Sequence, residues 1–121
     1  MRSVSSKRSI CPITSLLDIV GDKWTLLVIR DLLLGKRRYA EFIDSKEKMQ
    51  TNILAERLKR IEEFGLVTKS PYQTNPLRFE YSLTEKGKAL EPILNEMARW
   101  GLHYIKGTKL FPKVSSECIG S

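Results

Sequence analysis

The sequence predicts a mainly α (α+β) domain, and three observations carry that reading. Apolar residues recur at helical spacing through most of the first 64 residues and again from Thr84 to Ile105. One stretch alternates instead: Phe79, Tyr81 and Leu83 fall on one face, Arg78, Glu80 and Ser82 on the other. The chain has 121 residues, the size of one domain. Splitting it would leave pieces near the lower limit for independent folding.

Each element has a local reason. Residues 1–10 are polar, Ser-rich and basic, and read as a flexible basic arm. Pro12 to Val20 reads as a helix, because Pro12 suits the first helical position and Gly21 follows the end. Asp22 can cap a second helix from Lys23 to Leu34, closed by Gly35. Its apolar residues cover most of its faces, which marks a central core helix. Lys36-Arg37-Arg38 is a basic link. Tyr39 to Ser45 reads as a short helix with Tyr39, Phe42 and Ile43 inward, and Lys46 to Lys48 as a charged turn. Met49 to Phe64 carries the stripe Leu54, Leu58, Ile61 and ends at Gly65. Leu66 to Tyr72 and Arg78 to Leu83 read as strands, joined through the turn signal Asn75-Pro76. Thr84 can cap a last helix to about Ile105, with a kink expected at Pro92. Residues 11–107 then form the domain and 108–121 a C-terminal tail. A short helix, a tight turn and a longer helix with a polar outer face make a helix-turn-helix. A hairpin directly after it makes a winged helix-turn-helix with a two-stranded wing and a long C-terminal helix.

Composition narrows the function. Lys and Arg total 21 against 14 Asp and Glu, a net charge of +7, which biases a small domain toward polyanionic partners. The longest apolar runs, Leu26 to Ile29 and Leu32 to Leu34, are far too short to span a membrane. Arg2, Lys7 and Arg8 precede no apolar core of a signal peptide, and Arg is too sparse for a transit peptide. Two cysteines make no disulfide scaffold and fit a reducing compartment. With one histidine, His103, no phosphate loop and no dinucleotide fingerprint, the sequence reads as no enzyme and implies no cofactor. Glu62-Glu63 point about 100° apart on a helix, as solvated charges do. Cys11, His103 and Cys118 are too dispersed to suggest a metal site.

The longer helix is suited to reading DNA. With Leu54 at zero, Leu58 falls at about 40° and Ile61 at about 340°, so the core side lies near zero. Ala55, Lys59, Asn52 and Glu56 fall at about 100°, 140°, 160° and 200° and share the outward face. Gln50 and Thr51 stand at the N-terminal end, which enters the major groove in this class of fold. Asn and Gln pair bidentately with adenine, Lys reaches guanine or phosphate, and Ala55 leaves room for a thymine methyl. Glu56 can accept from cytosine but repels phosphate. From Lys36 to Arg60 eight basic residues oppose four acids, an excess of four charges where phosphate contacts are needed. Arg38 belongs to that group, and Arg78 on the wing can enter the minor groove. The alternative is a winged-helix module for protein or RNA contacts without operator-specific DNA binding.

These residues resemble a known family, the HxlR family of bacterial winged-helix transcription regulators. Cys11-Pro12 opens the match. Gly21-Asp22-Lys23-Trp24-Thr25, Gly35 through Phe42, Leu54 through Leu58, Glu62 through Val67 and Glu80 through Gly87 follow in order, and Trp100 closes it. Met49-Gln50 stands where the family usually has Ile-Ser, and Gln is a poor cap.

The resemblance implies a cytoplasmic homodimer whose two reading helices bind a palindromic operator in double-stranded DNA. Its terminal helices would pack together through Leu16 and through Ile93, Met97, Trp100, Tyr104 and Ile105. Four positions of that set, 93, 97, 100 and 104, recur at spacings of four, three and four. It also allows a small-molecule or electrophile effector, with Cys11 as the candidate redox-sensing thiol; Cys118, in the tail, is a candidate resolving partner by its position. Cys11 precedes a helix start, where amide groups and the helix dipole favour a thiolate, and Lys7 and Arg8 are near in sequence.

Overall fold

The computed structural model describes residues 10–44 and 47–110. Most of the arm, Lys7, Arg8, Lys46, Cys118 and the tail from 111 onward lie outside the described residues. The elements run α1 (Pro12–Val20), α2 (Lys23–Leu33), α3 (Tyr39–Ile43), α4 (Thr51–Glu63), β1 (Val67–Thr74), β2 (Leu77–Leu83), α5 (Glu85–Lys88) and α6 (Glu91–Tyr104). The winged helix-turn-helix is thus formed by α3, α4 and the β1–β2 hairpin.

Helix α2 sits at the centre, against α1, α4, β2 and α6. Val28 and Ile29 on α2, Phe42 on α3, and Leu54, Leu58 and Ile61 on α4 are all but fully buried in one core. Each such side chain contributes about 1.5–3 kcal/mol of burial. Asp22 caps α2, accepting from the amides of Trp24 at 3.1 Å and Thr25 at 3.2 Å. Gly35 takes φ of 104° after the end of α2, the left-handed conformation that favours glycine there.

The start of α4 differs from the sequence expectation. The helix begins at Thr51, and Gln50 occupies the cap position without a side-chain capping bond. Met49 before the cap is buried in the same core as Leu54 at the fourth helical position, the spacing of a hydrophobic staple. An apolar anchor therefore fixes the entry to α4.

The wing is antiparallel, with Val67 opposite Leu83 and Thr74 opposite Leu77, so that Asn75-Pro76, a cis peptide, forms a two-residue loop. A bulge between Pro71 and Gln73 interrupts the register. Both strands reach further toward the loop than their sequence patterns suggested.

The last helix is two helices, where one with an interior kink was expected. Thr84 caps only α5, accepting from the Gly87 amide at 3.2 Å, and its hydroxyl donates to the Gly65 carbonyl at 2.6 Å. Gly87 packs so closely that a Cβ there would stand 2.2 Å from the Leu66 carbonyl oxygen. That close approach ties α5 to the root of the wing. Leu90 is buried, α6 starts at Glu91, and Pro92 lies in the first turn. Proline costs nothing there, because first-turn amides have no helical acceptor.

Candidate nucleic-acid interface

Two ionic arrangements orient α4. Asp22 caps α2 and also accepts from Arg57 Nε at 2.7 Å and Arg60 Nη1 at 3.0 Å, both on α4. Burial raises the Asp22 pKa, but the Thr25 hydroxyl and the Arg57 guanidinium outweigh it and bring the carboxyl to about 2. One carboxylate thus joins the start of the core helix to the middle of α4. Before α4, Arg30 bridges the fully buried Asp31 at 2.9 Å and Glu47 at 3.0 Å. Burial raises the Asp31 pKa against the pull of Arg30 and Lys36.

With its inner face fixed, α4 presents Thr51, Asn52, Ala55, Glu56 and Lys59 as exposed residues, with Gln50 exposed at the cap. All six residues expected to read bases are thus exposed. The Glu56 carboxylate is turned onto Arg57 and Arg60, which offsets its repulsion of phosphate.

The basic cluster is smaller than the sequence count suggested. Arg57 and Arg60 are committed to Asp22 and Glu56, and Lys36 stands 3.7 Å from Asp31. Arg37 is structural: its carbonyl accepts from the Tyr81 amide at 2.9 Å, and its guanidinium donates to Ser82 Oγ at 2.8 Å. Those contacts hold the wing to the helix-turn-helix. Arg38 is exposed, stacks on the Tyr72 ring 3.6 Å from its centroid, and lies 3.5 Å from Glu80. Lys48, Lys59 and Arg78 have no ion-pair partner among the described residues, and Lys59 and Arg78 are exposed.

The outer face of α6 is apolar and open. No residue of α6 is buried: Ile93 is 41% exposed, Met97 51%, Trp100 59% and Tyr104 64%, with Ile105 just past the helix at 50%. The Trp100 and Tyr104 rings pack at a tilt of 41°, with centroids 4.9 Å apart. Leu94 packs on the core from the other side of the helix. On α1, Leu16 also packs on the chain's own core, whereas Ile13 and Leu17 are exposed. Sequence reasoning missed those two, although their spacing of four residues was the available signal.

Cys11 occupies the cap position of α1 and is half-buried. The Thr14 amide and hydroxyl and the Ile13 amide hold its thiol below the ordinary value. No helix among the described residues is long and apolar enough to cross a membrane.

Comparison with known proteins agrees with this architecture. The model of the HxlR-like helix-turn-helix family matches residues 19–109. YvaP, an HTH-type transcriptional regulator of Bacillus subtilis, is 37% identical over 101 residues, covering 83% of this chain and 94% of YvaP. Among solved structures, the redox regulator HypR in its oxidized form has a TM-score of 0.70 at 33% identity, covering 83% of this chain and 100% of HypR. The reduced form of the transcriptional regulator YodB from B. subtilis has a TM-score of 0.66 at 30% identity, covering 84% and 100%. A matching family model over most of its length and relatives of this closeness make the chain a member of the HxlR-like helix-turn-helix family of transcriptional regulators.

Proposed function

We propose that the chain is a cytoplasmic homodimer that reads a palindromic operator, each α4 entering a major groove. The observation that carries this reading is the division of α4 into two faces. Leu54, Leu58, Ile61, Arg57 and Arg60 are engaged inside the protomer, while Asn52, Ala55 and Lys59 stand exposed. A two-fold pair of such helices spans half-sites about 34 Å apart, one turn of duplex. Arg38, Lys59 and Arg78 supply the phosphate or minor-groove contacts.

The test is selection of genomic fragments by the purified protein, then footprinting. Asn52→Ala should cost about 1–3 kcal/mol at one base pair and relax specificity there. Arg38→Ala should weaken all sequences alike and flatten the salt slope. Unchanged affinity and base preference in Asn52→Ala would remove α4 as the reader. Equal binding of single strands, or none of any nucleic acid, would favour the protein- or RNA-interaction module.

Cys11 supplies the regulation in this reading. A helix-start thiol with a lowered pKa is more thiolate at neutral pH, and so more reactive, than an ordinary cysteine. The likeness to HypR, a redox regulator, supports the same assignment. Iodoacetamide trapping against pH should give a midpoint below that of a model thiol. A hypochlorite pulse should lower operator affinity in the native chain and leave Cys11→Ser unaffected. An ordinary midpoint with unchanged affinity would make Cys11 structural.

A further inference from the structure

Between the start of α3 and the wing lies a cleft of about 640 Å³. That volume is within the range of small-molecule sites. Its walls include four aromatic rings: Tyr39 on α3, Tyr72 on β1, and Phe79 and Tyr81 on β2. Tyr39 and Tyr81 lie 6.4 Å apart between centroids. Arg38 covers the Tyr72 ring, and Lys69 covers the Phe79 ring at 4.6 Å.

Two unsatisfied polar groups give the cleft a direction. Tyr81 is only 6% exposed as a residue, but it lines the cleft, and its hydroxyl, which is not fully buried, has no hydrogen-bond partner among the described residues. An accessible hydroxyl without a protein partner is open to donate to a bound ligand. Burial first, then Tyr39 and Glu62, push that phenol up to about 12, so it stays protonated and can donate. At the mouth, Arg78 is exposed and has no ion-pair partner among the described residues. Of the three cations lining the cleft, Arg38 lies 3.5 Å from Glu80 and Lys69 4.0 Å from Glu62, so Arg78 is the unpaired one, and Glu41 is the one carboxylate in the lining itself. Glu41 is turned away onto the amides of Arg37 at 2.6 Å and Arg38 at 3.0 Å.

We propose that this cleft binds a planar aromatic acid with a second oxygen at its far end. The ring lies among the aromatic walls, the carboxylate meets Arg78 and Arg38, and the far oxygen accepts from Tyr81. The consequence for DNA rests on the function proposed above. A ligand seated there occupies the cations assigned to phosphate and competes with the operator.

The probe is 6-hydroxy-2-naphthoate, titrated calorimetrically into the full chain without DNA. Saturable binding is expected, about tenfold tighter than 2-naphthoate, which lacks the hydroxyl. It should also be tighter than 2-naphthol, which lacks the carboxylate. Tyr81→Phe should erase the tenfold preference while leaving 2-naphthoate and operator binding unchanged, which also reports that the variant is folded. No saturable binding at millimolar probe, or a preference kept in Tyr81→Phe, overturns the site. Because the titration contains no DNA, its result stands whether or not the operator reading does. Displacement of bound operator by the same probe then tests the competition separately.

Discussion

Asp22→Ala is expected to destabilise the chain by about 3 kcal/mol in denaturant unfolding, among the largest effects of any single polar substitution here. The side chain is shared between two tasks. As a cap it serves the amides of Trp24 and Thr25, and losing a cap costs about 1 kcal/mol. As an anion it holds Arg57 and Arg60, and its removal leaves both guanidinium groups partly buried without it. Asp22→Asn separates the tasks, since Asn caps as well as Asp but carries no charge. A carboxyl held at about 2, against the ordinary value near 3.8, is worth about 2 kcal/mol at neutral pH.

The sign follows from that direction of shift. The stabilisation is fully present above pH 4 and is lost as the pH falls through about 2, because the unfolded chain takes up the proton first. Asp31 works in the opposite sense, since its folded pKa is raised by burial. The informative measurement is therefore the difference between native and Asp22→Asn stability from pH 6 to pH 2. It should shrink toward zero at the acid end. A difference that stays constant with pH would mean that the charge of Asp22 does not stabilise the fold.

The same residue marks what the sequence could and could not reveal. Its capping role was legible, because a cap lies next to the helix it serves. Its hold on α4 was not, because Arg57 and Arg60 are 35 and 38 positions away and nothing local to them shows a partner. The inward stripe of α4 and the alternation of β2 were legible, as each period allows only one buried face. The break between α5 and α6 was hidden because Thr84 and Pro92 both fit one long helix. What divides it is the approach of Gly87 to the Leu66 carbonyl and the burial of Leu90, both tertiary facts. The charge count overstated the basic surface for a related reason. Counting treats every arginine as solvated, whereas Arg37, Arg57 and Arg60 each direct guanidinium donors to partners inside the protomer. Likewise, the cleft beside the wing joins Tyr39 to Tyr72 and Tyr81, residues from three separate elements.

Trp100→Glu is expected to convert the protein to a monomer and to lower operator affinity by about 100-fold. Trp100 is 59% exposed and its recorded ring contact is with Tyr104, so the substitution removes little from the protomer's own core. What it alters is the surface along α6, where Ile93, Met97, Trp100 and Tyr104 present apolar area in a continuous row. A contiguous exposed apolar face is costly in water, and a two-fold partner would cover it with the same face of a second copy. Placing a carboxylate at its centre would bury two like charges across the symmetry axis, which opposes association. The DNA effect follows from linkage rather than from contact. In a dimer the second reading helix binds its half-site at a high effective concentration, and separation of the protomers forfeits a gain of order 100-fold or more. Light scattering at micromolar protein, a thermal melt and a titration of the palindrome test the three parts together. The expected pattern is a monomer with a native-like melt and weakened palindrome binding. Binding of an isolated half-site should be unchanged. A variant that stays dimeric and binds the palindrome normally would place the subunit interface elsewhere, with the exposed Ile13 and Leu17 of α1 the next surface to substitute.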